Sequence, residues 1–226
     1  MKASPRGFTL IELLVALFIA ALMFAMGYGA INQALQHRGS ITRQQDNLVQ
    51  LETTMRVIEQ DFVQLAPRPV RDPGGDNYLA CLQGQPMAGA SGPADAPDPA
   101  DDSDSSGAAP LVVLTRNGWS NPTGLPRSEL ERVAYVFDNG TLVREHWNVL
   151  DATLSSTPIK RNLLKHVRSV TFRYMSMTRS WVDTWPPSGA TTNASDNFYR
   201  MRPMAVEVTL DTQQWGKVSR IFEIAQ

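Results

Sequence analysis

Hydrophobic side chains follow three regimes along this chain. From Phe8 to Ile31 they are nearly continuous, and 24 residues carry one charged side chain, Glu12. At a rise of ~1.5 Å per residue such a run makes about 36 Å of helix, enough to cross a hydrocarbon core of about 30 Å. From Leu48 the pattern turns periodic, with Leu48, Leu51, Met55, Ile58, Phe62 and Leu65 three or four residues apart. Gln50, Glu52, Arg56, Glu59, Gln60 and Gln64 oppose this stripe, as on a helix with one face against a core. Pro67 and Pro69 end it, because the residue before a proline is driven out of the helical region. The spacing predicts one helix from Phe8 to about Ala66, with Gly27, Gly29 and Gly39 as weak points where it can bend. Its stripe pairs either with a partner helix or with the protein's own sheet, and three heptads are short for a coiled coil.

Further on the period shortens to two. Leu111 to Arg116 reads as a short apolar strand, and Val167–Met175 as another. Glu131–Asp138 and Thr141–Val149 flank Asn139-Gly140, the pair favoured by a two-residue type I′ hairpin turn. On the first of these strands Val133, Tyr135 and Phe137 should alternate, outward against inward, with Arg132, Ala134 and Val136. Met204, Val206, Val208 and Leu210 alternate with polar or small residues, and Ser219–Ile224 pairs back across the Trp215-Gly216 turn. Five or six antiparallel strands behind a long helix make an α+β fold. Two stretches interrupt the strands. Pro86 to Pro110, rich in Gly, Ala, Pro, Ser and Asp, is expected to be a mobile surface loop. Ser176 to Pro203 carries Trp181, Trp185, Phe198 and Tyr199 among small polar residues. These aromatics either meet a partner or fold back to cap the sheet.

Composition removes several function classes. Lys plus Arg total 21 against 22 Asp plus Glu, so no broad basic surface for nucleic acid is expected. The single cysteine, Cys81, rules out an intrachain disulfide or a multi-cysteine zinc site. His37, His146 and His166 lie far apart, without metal-ligand spacing on one helix, and there is neither a Gly-x-Ser-x-Gly elbow nor a phosphate-binding glycine loop. Asp95, Asp98, Asp101, Asp102 and Asp104 lack the EF-hand pattern and read as a solvated charge run. No cofactor, metal or catalytic residue is therefore expected. A membrane-anchored periplasmic enzyme stays as the alternative of another class, since a fold can assemble distant residues.

The apolar run is too long for a cleaved secretory signal and should stay on the protein as a single span, with the basic start (Lys2, Arg6) in the cytoplasm. Glu12 is the anomaly in it. A lone carboxylate at the centre of a helix in lipid costs about 2.5–3.5 kcal/mol, so it either finds a cationic partner or snorkels to water.

The order of the first residues carries a resemblance. Met1 to Gly7, then Phe8-Thr9-Leu10-Ile11-Glu12-Leu13-Leu14-Val15-Ala16, resembles the class III signal of type IV pilins and type II secretion pseudopilins. The likeness continues through Leu51–Asp72, Leu114–Trp119, Asn121-Pro122, Pro126–Leu130, Leu142–Trp147 and Pro203–Leu210, which resemble the J family of minor pseudopilins. The resemblance implies a 1–7 leader cut by a prepilin peptidase between Gly7 and Phe8, N-methylation of Phe8, and an assembly role for Glu12 towards the amine of a neighbouring subunit. It implies a membrane half-helix at 8–31, a periplasmic half at 32–66 and a β-rich periplasmic head at 67–226 on a bacterial inner-membrane anchor. It also implies partners: the I and K pseudopilins in a tip complex, other pseudopilins and the inner-membrane assembly platform. A minor type IV pilin of a pilus or competence machine is the nearest alternative.

Overall fold

The computed structural model describes residues 9–87, 108–124, 127–187 and 196–225. The leader at 1–7, Phe8, the acidic run from Asp95 to Asp104 and most of the 86–110 loop lie outside the described residues. Helix α1 spans Leu10–Val63 without a break at Gly27, Gly29 or Gly39. By its contacts the chain divides into two compact units, Met1–Val49 and Gln50–Gln226. In the first, Leu10–Gln33 is long and apolar enough to span a bilayer, and all its described side chains are exposed. An apolar helix with no protein around it requires lipid or other helices as its solvent.

In the second unit the helical stripe lies in the core, as expected for packing on the protein's own sheet. Met55, Ile58 and Phe62 are fully buried and Leu51 and Leu65 nearly so. Full burial of such a side chain contributes about 1.5–3 kcal/mol. Leu48 departs from the stripe and stays half exposed. The helix stops at Val63, and the chain then joins the sheet: the Ala66 amide donates to the Thr115 carbonyl at 2.9 Å.

Eleven strands are described: β1 (Val70–Arg71), β2 (Tyr78–Leu79), β3 (Leu82–Gly84), β4 (Pro110–Arg116), β5 (Glu131–Asp138), β6 (Thr141–Trp147), β7 (Ile159–Leu164), β8 (Val167–Met175), β9 (Trp181–Val182), β10 (Ala205–Thr212) and β11 (Gly216–Glu223). A four-residue helix, α2 (Asp196–Tyr199), precedes β10. All strand pairs are antiparallel, in sheets ordered β3-β4-β5-β6-β7 and β11-β10-β8-β9 with a small β1-β2 pair. Gly84 and Trp185 exchange backbone bonds of 2.8 and 2.9 Å, which link β3 to the segment after β9. Phe172 on β8 joins the layers in the core, with ring centroids 5.9 Å from Phe62 and 6.0 Å from Tyr135.

The β5–β6 hairpin has the expected turn, with Asn139 and Gly140 both at positive φ (46° and 75°). The eleven described strands exceed the five or six expected, because β1, β2, β3 and β9 are two or three residues long and too short to show a period. β5 does not alternate between core and solvent: every residue from Glu131 to Val136 is buried. It is the central strand, and its second face is covered because Arg132 lies across β4, donating to the carbonyls of Ala80 (3.1 Å) and Cys81 (3.3 Å) and to Thr115 Oγ1 (3.0 Å). β7 was not expected as a strand. It is a sheet edge whose first four residues, Ile-Lys-Arg-Asn, are all exposed, so no alternation marks it.

Candidate functional site

The first candidate feature is the start of α1. Glu12 is an exposed acidic residue in the first turn, where the aligned peptide dipoles favour a negative charge. Its amide closes the turn onto the Thr9 carbonyl at 3.1 Å. Gly7 and Phe8, the junction that should be cut, lie outside the described residues.

The second feature is the aromatic set, which the structure separates. Trp185 is 3% exposed, its ring 6.0 Å from that of Tyr174 and its Nε1 donating to the Met201 carbonyl at 3.2 Å. It caps the sheet and offers no face to a partner, which corrects its expected contact role. Trp181, Phe198 and Tyr199 are half-buried. The Arg173 guanidinium lies 5.7 Å from the Trp181 ring, and Tyr199 lies 6.3 Å from Tyr78.

The third feature was missed as a site by sequence reasoning. Asp61 sits among the apolar positions of the helix, three residues after Ile58, and is completely buried. Its Oδ1 accepts from Arg116 Nη1 at 2.7 Å and Arg144 Nη2 at 3.2 Å. Its Oδ2 accepts from Tyr135 OH at 2.6 Å and Arg144 Nε at 2.7 Å. Glu131 Oε2 takes a further bond from Arg144 Nη2 at 3.1 Å and lies 3.8 Å from Arg116 Nη1, so two guanidiniums face two carboxylates. Arg116 Nη2 also donates to Gln64 Oε1 on the chain leaving the helix. Burial opposes the charge on Arg144, but the bonds to Asp61 and the nearby Glu131 outweigh it and leave its pKa raised. Burial, then the Asp61 carboxylate, pushes the Tyr135 hydroxyl well above its ordinary value. The available signal was a carboxylate on the face shared by Thr54, Ile58 and Leu65.

Burial pushes the Cys81 thiol up to about 11, away from thiolate reactivity. Among the described residues no group of three or more His, Cys, Asp or Glu side chains is placed to hold a metal ion.

An N-terminal apolar helix followed in the chain by antiparallel β-sheets is the architecture of the pilin-like pseudopilins. Residues 2–28 match the prokaryotic N-terminal methylation motif, and residues 29–224 match the model of type II secretion system (T2SS) protein J. The chain is 31% identical to type II secretion system protein J of Escherichia coli, covering 98% of this chain and 97% of that one. It is 28% identical to the protein J of Klebsiella pneumoniae over 98% of this chain and 96% of that one. Among solved structures it is similar to a chain of the GspK-GspI-GspJ complex of enterotoxigenic E. coli, with a TM-score of 0.59 and 26% identity over 80% of this chain and 98% of that chain. The chain belongs to the type II secretion system protein J family. It is a minor pseudopilin of the type II secretion machinery, and the pilus or competence alternative falls away.

Proposed function

We propose that this subunit is cut between Gly7 and Phe8, methylated on the Phe8 amine, and built into the tip of a pseudopilus together with the I and K pseudopilins. The observation that carries the reading is the unbroken succession of the methylation motif at 2–28 and the protein J match at 29–224. The J-containing complex named for the similar E. coli structure supports the choice of partners.

Residues 8–31 form the membrane half of the helix, 32–66 its periplasmic half and 67–226 the periplasmic head, with the N-terminus cytoplasmic. Short basic sequence before the span and a long head after it support that orientation. Glu12 serves assembly by pairing with the free α-amine of a neighbouring Phe8, which removes the cost of a lone carboxylate in lipid. Trp181, Phe198 and Tyr199 contribute partner contacts. The role is structural and needs no cofactor.

Co-purification from cells holding the matching peptidase and the I and K subunits tests this directly. Intact mass should give an N-terminus at methylated Phe8, and light scattering should give a species with one copy of each subunit. Folded subunits that elute separately at micromolar concentration would refute the tip assignment.

A further inference from the structure

The Asp61 cluster is an unusual way to fasten a helix that already has an apolar stripe. Burying four charged side chains is costly, and apolar replacements of similar volume often leave a protein as stable or more so. The stripe of Met55, Ile58 and Phe62 supplies burial without it. What apolar contacts lack is direction, because hydrophobic burial scales with area and not with angle.

The cluster supplies that direction. One carboxylate on the helix is held from three consecutive strands: by Arg116 on β4, Tyr135 on β5 and Arg144 on β6. Towards the other end of the same segment, Gln50 Nε2 donates to the Leu163 carbonyl on β7 at 3.1 Å, and the one proton of Thr54 Oγ1 is shared between that carbonyl, at 3.0 Å, and the Gln50 carbonyl, at 2.8 Å. A rotation of the helix by one residue, or a slide by one turn, breaks every one of these bonds to the strands. The same slide would leave a mostly apolar interface in contact. The opposite helix face, with Glu52, Thr53, Arg56 and Gln60, stays exposed.

We infer that the Asp61–Arg116–Arg144–Glu131 cluster is a positioning device that fixes the rotation and register of helix residues 50–63 on strands β4–β7. The surface that a partner subunit meets is thereby formed before it arrives. The step to a partner rests on the reading of this chain as a subunit that binds other pseudopilins.

The test uses the full chain in detergent micelles. An apolar variant combines Asp61→Leu, Arg116→Met, Glu131→Leu, Arg144→Met and Tyr135→Phe, so that no fully buried group of the cluster is left unpaired; Gln64, which loses its Arg116 donor, is half-buried and within reach of water. Nitroxide labels replace Thr53 and Thr171, both exposed, while buried Cys81 remains unlabelled. Pulsed electron spin resonance should give one narrow distance in the parent. The apolar variant should keep its melting temperature within about 3 °C yet show a broadened or second distance, and bind the I and K subunits at least tenfold more weakly. A distance distribution identical to the parent's overturns the inference, whatever the partners do. So does a melting temperature lowered by more than 10 °C, which would make the cluster a plain stabiliser. Altered distances with affinity unchanged within twofold overturn the link to partners. If the parent itself binds neither subunit, the subunit reading fails, and the distances still decide the register.

Discussion

Replacing Asp61 alone by Asn perturbs the cluster in the opposite sense from replacing all of it. The side chain keeps its shape, but one acceptor oxygen becomes an amide donor. Both carboxylate oxygens now take two bonds each, at 2.6–3.2 Å, so one pair of donors must then face an N–H. The charge balance fails as well, leaving two buried guanidiniums with Glu131 as their remaining acidic partner in the cluster. Removing one member of a buried ion pair typically costs about 3–5 kcal/mol, because the other charge stays desolvated. For a domain of this size each kcal/mol lowers the melting temperature by about 2–4 °C, so the expected fall is about 6–20 °C. Thermal melts followed by near-ultraviolet circular dichroism measure it, repeated in 1 M NaCl, which should change the difference little because the pair is screened from solvent. Lys160→Ala is the internal control. Its bond to Glu145 is 2.9 Å long, but the lysine side chain is 61% exposed, so the loss should stay below about 1 kcal/mol. A shift for Asp61→Asn no larger than that of Lys160→Ala would refute the idea that the cluster holds mutually dependent, desolvated charges.

Tyr174 is fully buried and its hydroxyl has no hydrogen-bond partner among the described residues, so Tyr174→Phe should leave the urea midpoint unchanged or raise it; a loss above about 1 kcal/mol would reveal a further bond. Gly84→Ala should destabilise by several kcal/mol, since its Cβ would lie 2.0 Å from the Tyr174 hydroxyl and 2.3 Å from ring Cζ, and that ring is held against Trp185; an unchanged midpoint would contradict the packing. Cys81 should resist maleimide at pH 8 in the folded protein and react only on unfolding; rapid native labelling would contradict its burial. Because its folded pKa is raised from 9.0 to about 11, the stability it contributes is fully present below pH 9 and declines as pH rises towards 11, by at most about 3 kcal/mol. Cys81→Ala should remove that part of the alkaline slope in paired denaturant titrations.

Those features of the protein that depend on neighbours in the chain were legible from the sequence. The apolar span, the stripe from Leu51 to Leu65, the Asn139-Gly140 turn and the strands 131–138 and 167–175 each follow from a local period or a local backbone preference. The N-terminal motif is likewise contiguous, so its family could be recognised from the residues between Gly7 and Glu12. What sequence could not supply was decided by partners far along the chain. The strand at 159–164 exists because β6 pairs with it, and its polar residues face water at a sheet edge. Trp185 is a core residue because Gly84, about a hundred residues earlier, pairs with its backbone while the Tyr174 ring packs beside its own. Asp61 had no role assigned to it from the sequence beyond its place in the stretch Leu51–Asp72 that carries the family resemblance. Arg116, Glu131, Tyr135 and Arg144 lie 55 to 83 residues away, and only folding brings their charges and hydroxyl onto one carboxylate. Periodicity reports which face of an element is buried. It carries no record of which polar group across the core will compensate a charge placed on that face, and that compensation was decided by the tertiary structure alone.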